Sequence, residues 1–225
     1  SSETRSIDRH TVGVGVSLRP TQRMELKSDL RIMRGDEVFF RADQRHYSRL
    51  KVHGRYRFSD ALTATLSGSV WNNTNAIADI DLEQSNRELT MDVVLTPGRG
   101  LLTSLDASYS RRTFTSDSRF LVPQTFKPAV SAYQDRGHTG SVTAVIEPHA
   151  RIGVDIGGRL FISTDRVEDG QGTRPTRFYN ARARLVVEVV PSVSWDAAWN
   201  WYGYRNRALS GEEFRTHLFS TGFTY

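Results

Sequence analysis

Along nearly the whole chain apolar and polar residues take turns, and a period of two sustained this long admits β-strands with two unlike faces and little else. Val12, Val14, Val16 and Leu18 stand against Thr11, Gly13, Gly15 and Ser17. Leu50, Val52, Tyr56 and Phe58 stand against Arg49, Lys51, Arg55 and Arg57. The pattern recurs strongly at Ile152, Val154, Ile156, Leu160 and Ile162, and again at Ala181, Ala183, Leu185, Val187 and Val189. Eleven such segments of about 9 to 13 residues follow one another, close to the roughly 9 to 11 residues with which a tilted strand crosses a bilayer.

The connections alternate as well. Arg19 to Gln22, Ser59 to Ala61, Pro97 to Gly100, Pro148 to Ala150 and Pro191 to Val193 read as tight turns. Residues 34–45, 72–86, 113–136, 163–176 and 206–214 read as long polar loops. Short turns on one rim and long loops on the other predict an all-β fold, a transmembrane antiparallel up-and-down barrel. A mean hydropathy of −0.47 does not oppose this, since only alternate residues meet lipid. A soluble sandwich also alternates, but two features weigh against it here. The apolar parity carries almost no charge, and aromatic residues gather toward the segment ends. Tyr47, Trp71, Tyr109, Phe161, Tyr179, Trp199 and Trp201 are expected in a girdle at the long-loop rim, and Phe58, Trp195, Phe223 and Tyr225 in one at the other. Slipping the third strand by one residue would turn Arg49, Lys51, Arg55 and Arg57 toward lipid, at up to roughly 2–4 kcal/mol per cation. Its basic side therefore belongs to the lumen.

Eleven is odd, whereas single-chain bacterial barrels close on an even number. A total of twelve strands, or a larger barrel, is expected, with the strand around Val12 to Leu18 pairing outside this sequence. Residues 1–225 are accordingly read as one outer-membrane barrel domain or the C-terminal portion of one. No signal peptide opens the chain at Ser1-Ser2-Glu3-Thr4-Arg5, which suits a processed protein or an excised segment.

The last residues, Leu218-Phe219-Ser220-Thr221-Gly222-Phe223-Thr224-Tyr225, resemble the C-terminal signal of bacterial outer-membrane barrels, with Phe219, Phe223 and Tyr225 as its aromatic positions. The resemblance implies the outer membrane as location, with its lipid and the barrel-assembly machinery as partners. His217 departs from it, standing where an apolar residue is usual. A narrower likeness lies in the repeated short turns, Arg19-Pro20-Thr21-Gln22-Arg23 and Tyr56-Arg57-Phe58-Ser59-Asp60-Ala61-Leu62, each followed by a long polar-lined strand and a charged outer loop. This is similar to the porin-like barrels of porin-cytochrome conduits, the MtrB/PioB family. It implies a sheath around a multihaem cytochrome or another lumen-filling protein. Those barrels are larger than this chain.

On the inward parity the basic stripe Arg49, Lys51, Arg55 and Arg57, together with Arg159, Arg182 and Arg184, is the candidate site for a partner surface or for anions. Cross-strand ion pairing that merely keeps a polar wall hydrated is the plainer role for most of these residues singly. The stretch Thr113 to Arg136, unusually apolar for a loop, is expected to constrict the lumen, grip a partner or pack on its neighbours. Asp165, Glu168 and Asp169 lack the spacing of a calcium loop.

No catalytic residue, metal site, cofactor or nucleic-acid partner is expected. The six histidines form no Ser–His–acid constellation at strand spacing, and zero cysteines exclude covalent haem attachment to this chain. Sheath, passive channel for small polar or anionic solutes, and translocator remain as function classes. Ser1 to Arg9 is too short to thread a lumen as a translocator helix would. The interspersed signs of the inward charges favour the sheath.

Overall fold

The computed structural model describes residues 8–35, 45–77, 80–121, 128–167, 173–206 and 213–225. These form eleven strands and no helix: β1 (Arg9–Thr21), β2 (Met24–Gly35), β3 (His46–Arg57), β4 (Leu62–Ile77), β5 (Ile80–Leu95), β6 (Leu102–Leu121), β7 (Pro128–His149), β8 (Ile152–Val167), β9 (Thr173–Val190), β10 (Val193–Asn206) and β11 (Phe214–Thr224). Each strand pairs antiparallel with the next, giving one sheet in chain order. Ten ladders hold it together, and among the described residues none joins β1 to β11. Every residue of β1 is exposed, as the outermost strand of an open edge should be.

The turns fall at the short connections read from the sequence. Between β9 and β10, Pro191 fixes φ for the first corner and Ser192 takes a left-handed φ of 74° at the second. Between β5 and β6 two glycines, Gly98 and Gly100, take φ of 70° and 94°. The opposite rim differs from expectation. Residues 72–77 and 80–86 are not loop but paired strand, from Trp71 opposite Asn86 up to Ile77 opposite Ile80. Residues 113–121 and 128–136 are likewise a ladder, from Thr113 opposite Arg136 up to Leu121 opposite Pro128. Strands of 20 and 22 residues result for β6 and β7, so at about 3.4 Å per residue this hairpin stands far taller than a bilayer core of about 30 Å. A constriction made by Thr113 to Arg136 folding inward is thereby excluded for those paired residues. The remainder of that stretch, with Val122 and Phe126, lies outside the described residues, as do Glu168 and Asp169.

Tracing the ladders across the sheet assigns every described residue to one of two faces. Leu30, Leu50 and Val70 form one row of the apolar face, and Leu66, Met91, Tyr109, Gly140, Leu160 and Tyr179 another. Large hydrophobic side chains on this face are open: Leu66 is 53% exposed, Leu89 49%, Ile156 49% and Phe219 73%. Leu82 is the one buried hydrophobic side chain among the described residues, and it belongs to the other face. A soluble sandwich would hide this parity in its core. Here the arrangement is inverted, as lipid requires.

The buried side chains, Leu82, Asn73, Asn75, Asn86, Asp135 and Ser163, all carry the polar parity. A curved sheet crowds the side chains on its concave side and spreads those on its convex side. The polar face is therefore the inner one.

Aromatic girdles lie on the outer face, with corrected membership. Toward the long hairpins stand Tyr109, whose hydroxyl lies 2.8 Å from His138 Nδ1, and Tyr179 packed on Trp201 at 4.9 Å. Trp199 donates from Nε1 to His217 Nδ1 at 3.1 Å, so the histidine that departs from the terminal signal is one of the girdle's rings. At the turn rim Tyr56 packs edge-on against Phe58 at 4.8 Å, and Trp195 faces Phe223 across the ladder. Tyr47, Trp71 and Phe161 do not belong to this girdle. They sit opposite Asn73, Arg49 and Phe178 respectively, on the inner face.

One joint of the outer face depends on a missing side chain. Tyr179 lies directly opposite Gly203 and its ring covers the glycine, in the space a Cβ would need. Gly203→Ala should displace the ring and lower unfolding free energy by about 1–3 kcal/mol, read as a lower urea midpoint in lipid vesicles. An unchanged midpoint would mean that the tyrosine ring swings aside without loss.

Candidate functional site: the inner face of the wall

The inner face carries the chemistry because the charged residues at the height of the apolar band turn that way. β3 contributes Arg49, Lys51, Arg55 and Arg57 at alternate positions, all of inner parity. β8 contributes Arg159, and β9 contributes Arg182 and Arg184. The structure therefore puts all seven candidates on one face, in two stripes separated by β4 to β7. That intervening panel is rich in hydroxyls and carboxylates, including Thr65, Ser67, Thr90, Asp92, Asp106 and Ser108. Cross-strand rows tie the stripes together, as in Arg55, Thr65, Asp92, Ser108, Ser141 and Arg159.

Some of these cations are held by the wall itself. Arg49 lies 3.6 Å from Asp29, Arg184 3.5 Å from Asp196, and Arg182 donates to Thr143 Oγ1 at 3.2 Å. On β2, Glu25 bonds Lys27 at 2.7 Å and Arg19 at 3.3 Å. Lys51, Arg55, Arg57 and Arg159 make no ion pair among the described residues. The stripes thus divide into cations that brace the wall and cations that face the lumen with no ion pair among the described residues. His53 is braced too, its Nδ1 lying 3.0 Å from Ser67 Oγ.

Toward the long hairpins the inner face changes character in a way the sequence reading missed. Tyr47, Trp71, Phe114 and Tyr133 form a continuous row of rings, with centroid separations of 6.1, 6.1 and 6.2 Å. Trp71 and Phe114 stand on β4 and β6 with Asn86 of β5 between them. Strands two apart are separated by about 9.6 Å, so rings this close must lean together over the asparagine. Asn86 is only 7% exposed as a result. Next to it Asn73 donates from Nδ2 to Gln84 Oε1 at 3.5 Å. On the far flank Asp135 accepts from Arg112 at 2.9 Å and from the Ser163 hydroxyl, both carboxylate oxygens being used. Further round, Phe178 packs against Tyr202 and Tyr204 against Phe214, all of inner parity. Parity alone would have found Trp71, one residue beyond the outward Val70.

No family model matches the chain, and no curated protein matches it either. Solved structures do. The FrpB iron transporter from Neisseria meningitidis aligns with a TM-score of 0.71 at 9% identity, over 95% of this chain and 41% of that one. The copper transporter OprC gives 0.66 at 9% identity, over 96% and 42%. The alcaligin outer-membrane receptor FauA from Bordetella pertussis gives 0.66 at 14% identity, over 97% and 38%. The chain spans about two fifths of the length of these transporters and receptors. Its fold is theirs, that of an outer-membrane β-barrel wall, and its outward apolar band belongs in that membrane.

Proposed function

We propose that this chain is wall of an outer-membrane barrel whose polar lumen holds a partner protein, with a multihaem cytochrome as the class that the sequence resemblance implies. The observation that carries the reading is the ring belt on the inner face. Tyr47, Trp71, Phe114 and Tyr133 are half-buried against the wall and turn their remaining surface inward. Water filling an open pore gains nothing from such rings, whereas protein interfaces are enriched in them. Charges of both signs alternating around the wall suit a protein surface better than the two opposed walls of a transverse field. With no cysteine in this chain, any covalently held haem would arrive on the partner.

A passive channel for small anionic solutes is the second reading, favoured by Lys51, Arg55, Arg57 and Arg159, which make no ion pair among the described residues. Planar-bilayer recording separates the two. Protein taken from the outer membrane in mild detergent should carry a stoichiometric partner with a haem absorbance. Stripping that partner should open an ion current and returning it should close the current. A protein that purifies alone and conducts from the start would establish the channel and end the sheath.

A further inference from the structure

On the outer face, β5, β6 and β7 leave the apolar pattern at one height. Arg87, Arg111 and Arg136 all carry the outward parity: Arg87 is opposite Val70 on one side and Thr113 on the other, Thr113 is opposite Arg136, and Arg111 is opposite Leu89. This corrects the expectation that the apolar parity is nearly free of charge, which holds only at membrane height. Arg87 and Arg136 flank Thr113 in one row, about 10 Å apart along the sheet, and Arg111 lies one step lower on the strand between them. All three side chains are exposed, and none makes an ion pair among the described residues. Arg205, on the same face of β10, is by contrast neutralised by Glu213 at 2.8 Å.

A groove of about 750 Å³ joins the three guanidinium groups to a floor of Leu50, Val52, Val70 and Leu89. Its upper end is closed by the Ser85–Thr115 hydroxyl pair at 2.6 Å. Of the carboxylates of this parity, Glu83 and Asp117 stand one row beyond that pair and Asp81, paired with Arg119, two rows beyond, while Glu88, of the inner parity, also lines the groove. The groove is thus apolar on its β3–β4 side and cationic on its β5–β7 side, with Leu50, Val70, Arg87 and Arg136 in one row. It is placed where the outward surface passes from lipid tails to headgroups at the long-hairpin end, which in outer-membrane barrels is the extracellular one.

We propose that this groove binds a phosphorylated glycolipid of the outer leaflet, its phosphates held by Arg87, Arg111 and Arg136 and its acyl chains laid over Leu50, Val52, Val70 and Leu89. Three guanidinium groups around a single threonine supply paired N–H donors that match phosphate oxygens in geometry as well as charge. The aliphatic floor adds the part of the site that a free anion would not use. The proposal concerns the outer surface and holds whether the lumen is open or filled.

The test uses the full chain, delipidated in detergent and titrated with diphosphoryl lipid A, monophosphoryl lipid A, phosphatidylethanolamine or inorganic phosphate, with bound lipid counted by native mass spectrometry. Diphosphoryl lipid A should bind at least about tenfold more tightly than the monophosphoryl form or phosphatidylethanolamine, and inorganic phosphate should not displace it. The triple variant R87Q/R111Q/R136Q should lose that preference, while Arg99→Gln in the turn at the opposite rim should keep it. Equal binding of all three lipids by the parent protein overturns the proposal without recourse to any variant. So does displacement by inorganic phosphate, which would mark a simple anion site, or a triple variant that folds and still prefers the diphosphoryl lipid.

Discussion

Leu185→Arg will leave little folded barrel in the outer membrane, while Ser67→Arg will assemble nearly as the parent does. Leu185 lies on the outer face of β9, opposite Val154 on β8 and Ala197 on β10, inside the apolar band. A cation there costs roughly 2–4 kcal/mol near the midplane, a large share of the 5–15 kcal/mol that holds a typical domain together. The same penalty would oppose insertion while the strands are still pairing. Val154→Arg should behave alike, being the cross-strand neighbour. Ser67 points the other way, into a polar lumen, and its replacement forfeits the contact with His53, worth about 1 kcal/mol. The heat-modifiable fraction of each variant in isolated outer membranes measures this directly. Equal amounts for all three would mean that the two faces have been assigned the wrong way round.

Removing the two rings that meet over Asn86 should release a lumen partner without unseating the barrel. In the double variant W71A/F114A both rings are lost from the inner face, where no lipid is displaced and the ladders through β4, β5 and β6 remain. An aromatic anchor at a protein interface costs about 2 kcal/mol on truncation, so retention of the partner should fall by about 30-fold if one ring carries the grip and by about 1,000-fold if both losses add. Partner recovered per barrel after affinity purification gives the measure. A partner held by the basic stripes instead would stay with the double variant at low salt and leave steeply as salt is raised. That outcome would make the rings a brace for the tall hairpins rather than a grip.

How far the fold could be read from the chain depended on where lipid reaches. Alternation at Leu50, Val52, Leu185 and Val187 exists because one face must be apolar, and those strands, their directions and their turns were legible for that reason. Above the membrane neither face meets lipid. Asn72, Asn73, Asn75, Gln84, Ser85 and Asn86 then give no apolar parity to follow, and a ladder from Trp71 to Ile77 looked like loop. Position along the strand misled in the same region. Tyr47, Trp71 and Phe161 lie near the ends of the alternating segments, where girdle rings are found, yet each is one residue out of step with the outward set, and Trp71 and Phe161 prove to lie well inside β4 and β8. The seven cations of the candidate site were assigned by parity and fell on the inner face together. Which of them the wall neutralises was not legible, because Asp29 and Asp196 meet Arg49 and Arg184 only once register brings neighbouring strands alongside.

The count of strands has a consequence for direction. In an antiparallel sheet of eleven, β1 and β11 descend together, so its two free margins are oriented alike. Rolling such a sheet onto itself would place like-directed strands side by side, and a second copy standing upright beside the first would do the same at both contacts, each β11 meeting the other's β1. A cylinder made wholly of opposed neighbours requires an odd number of additional strands between those margins, the outermost two rising where β1 and β11 fall. This polarity rule depends on neither loop lengths nor side chains, and it restricts every assembly in which the wall can take part.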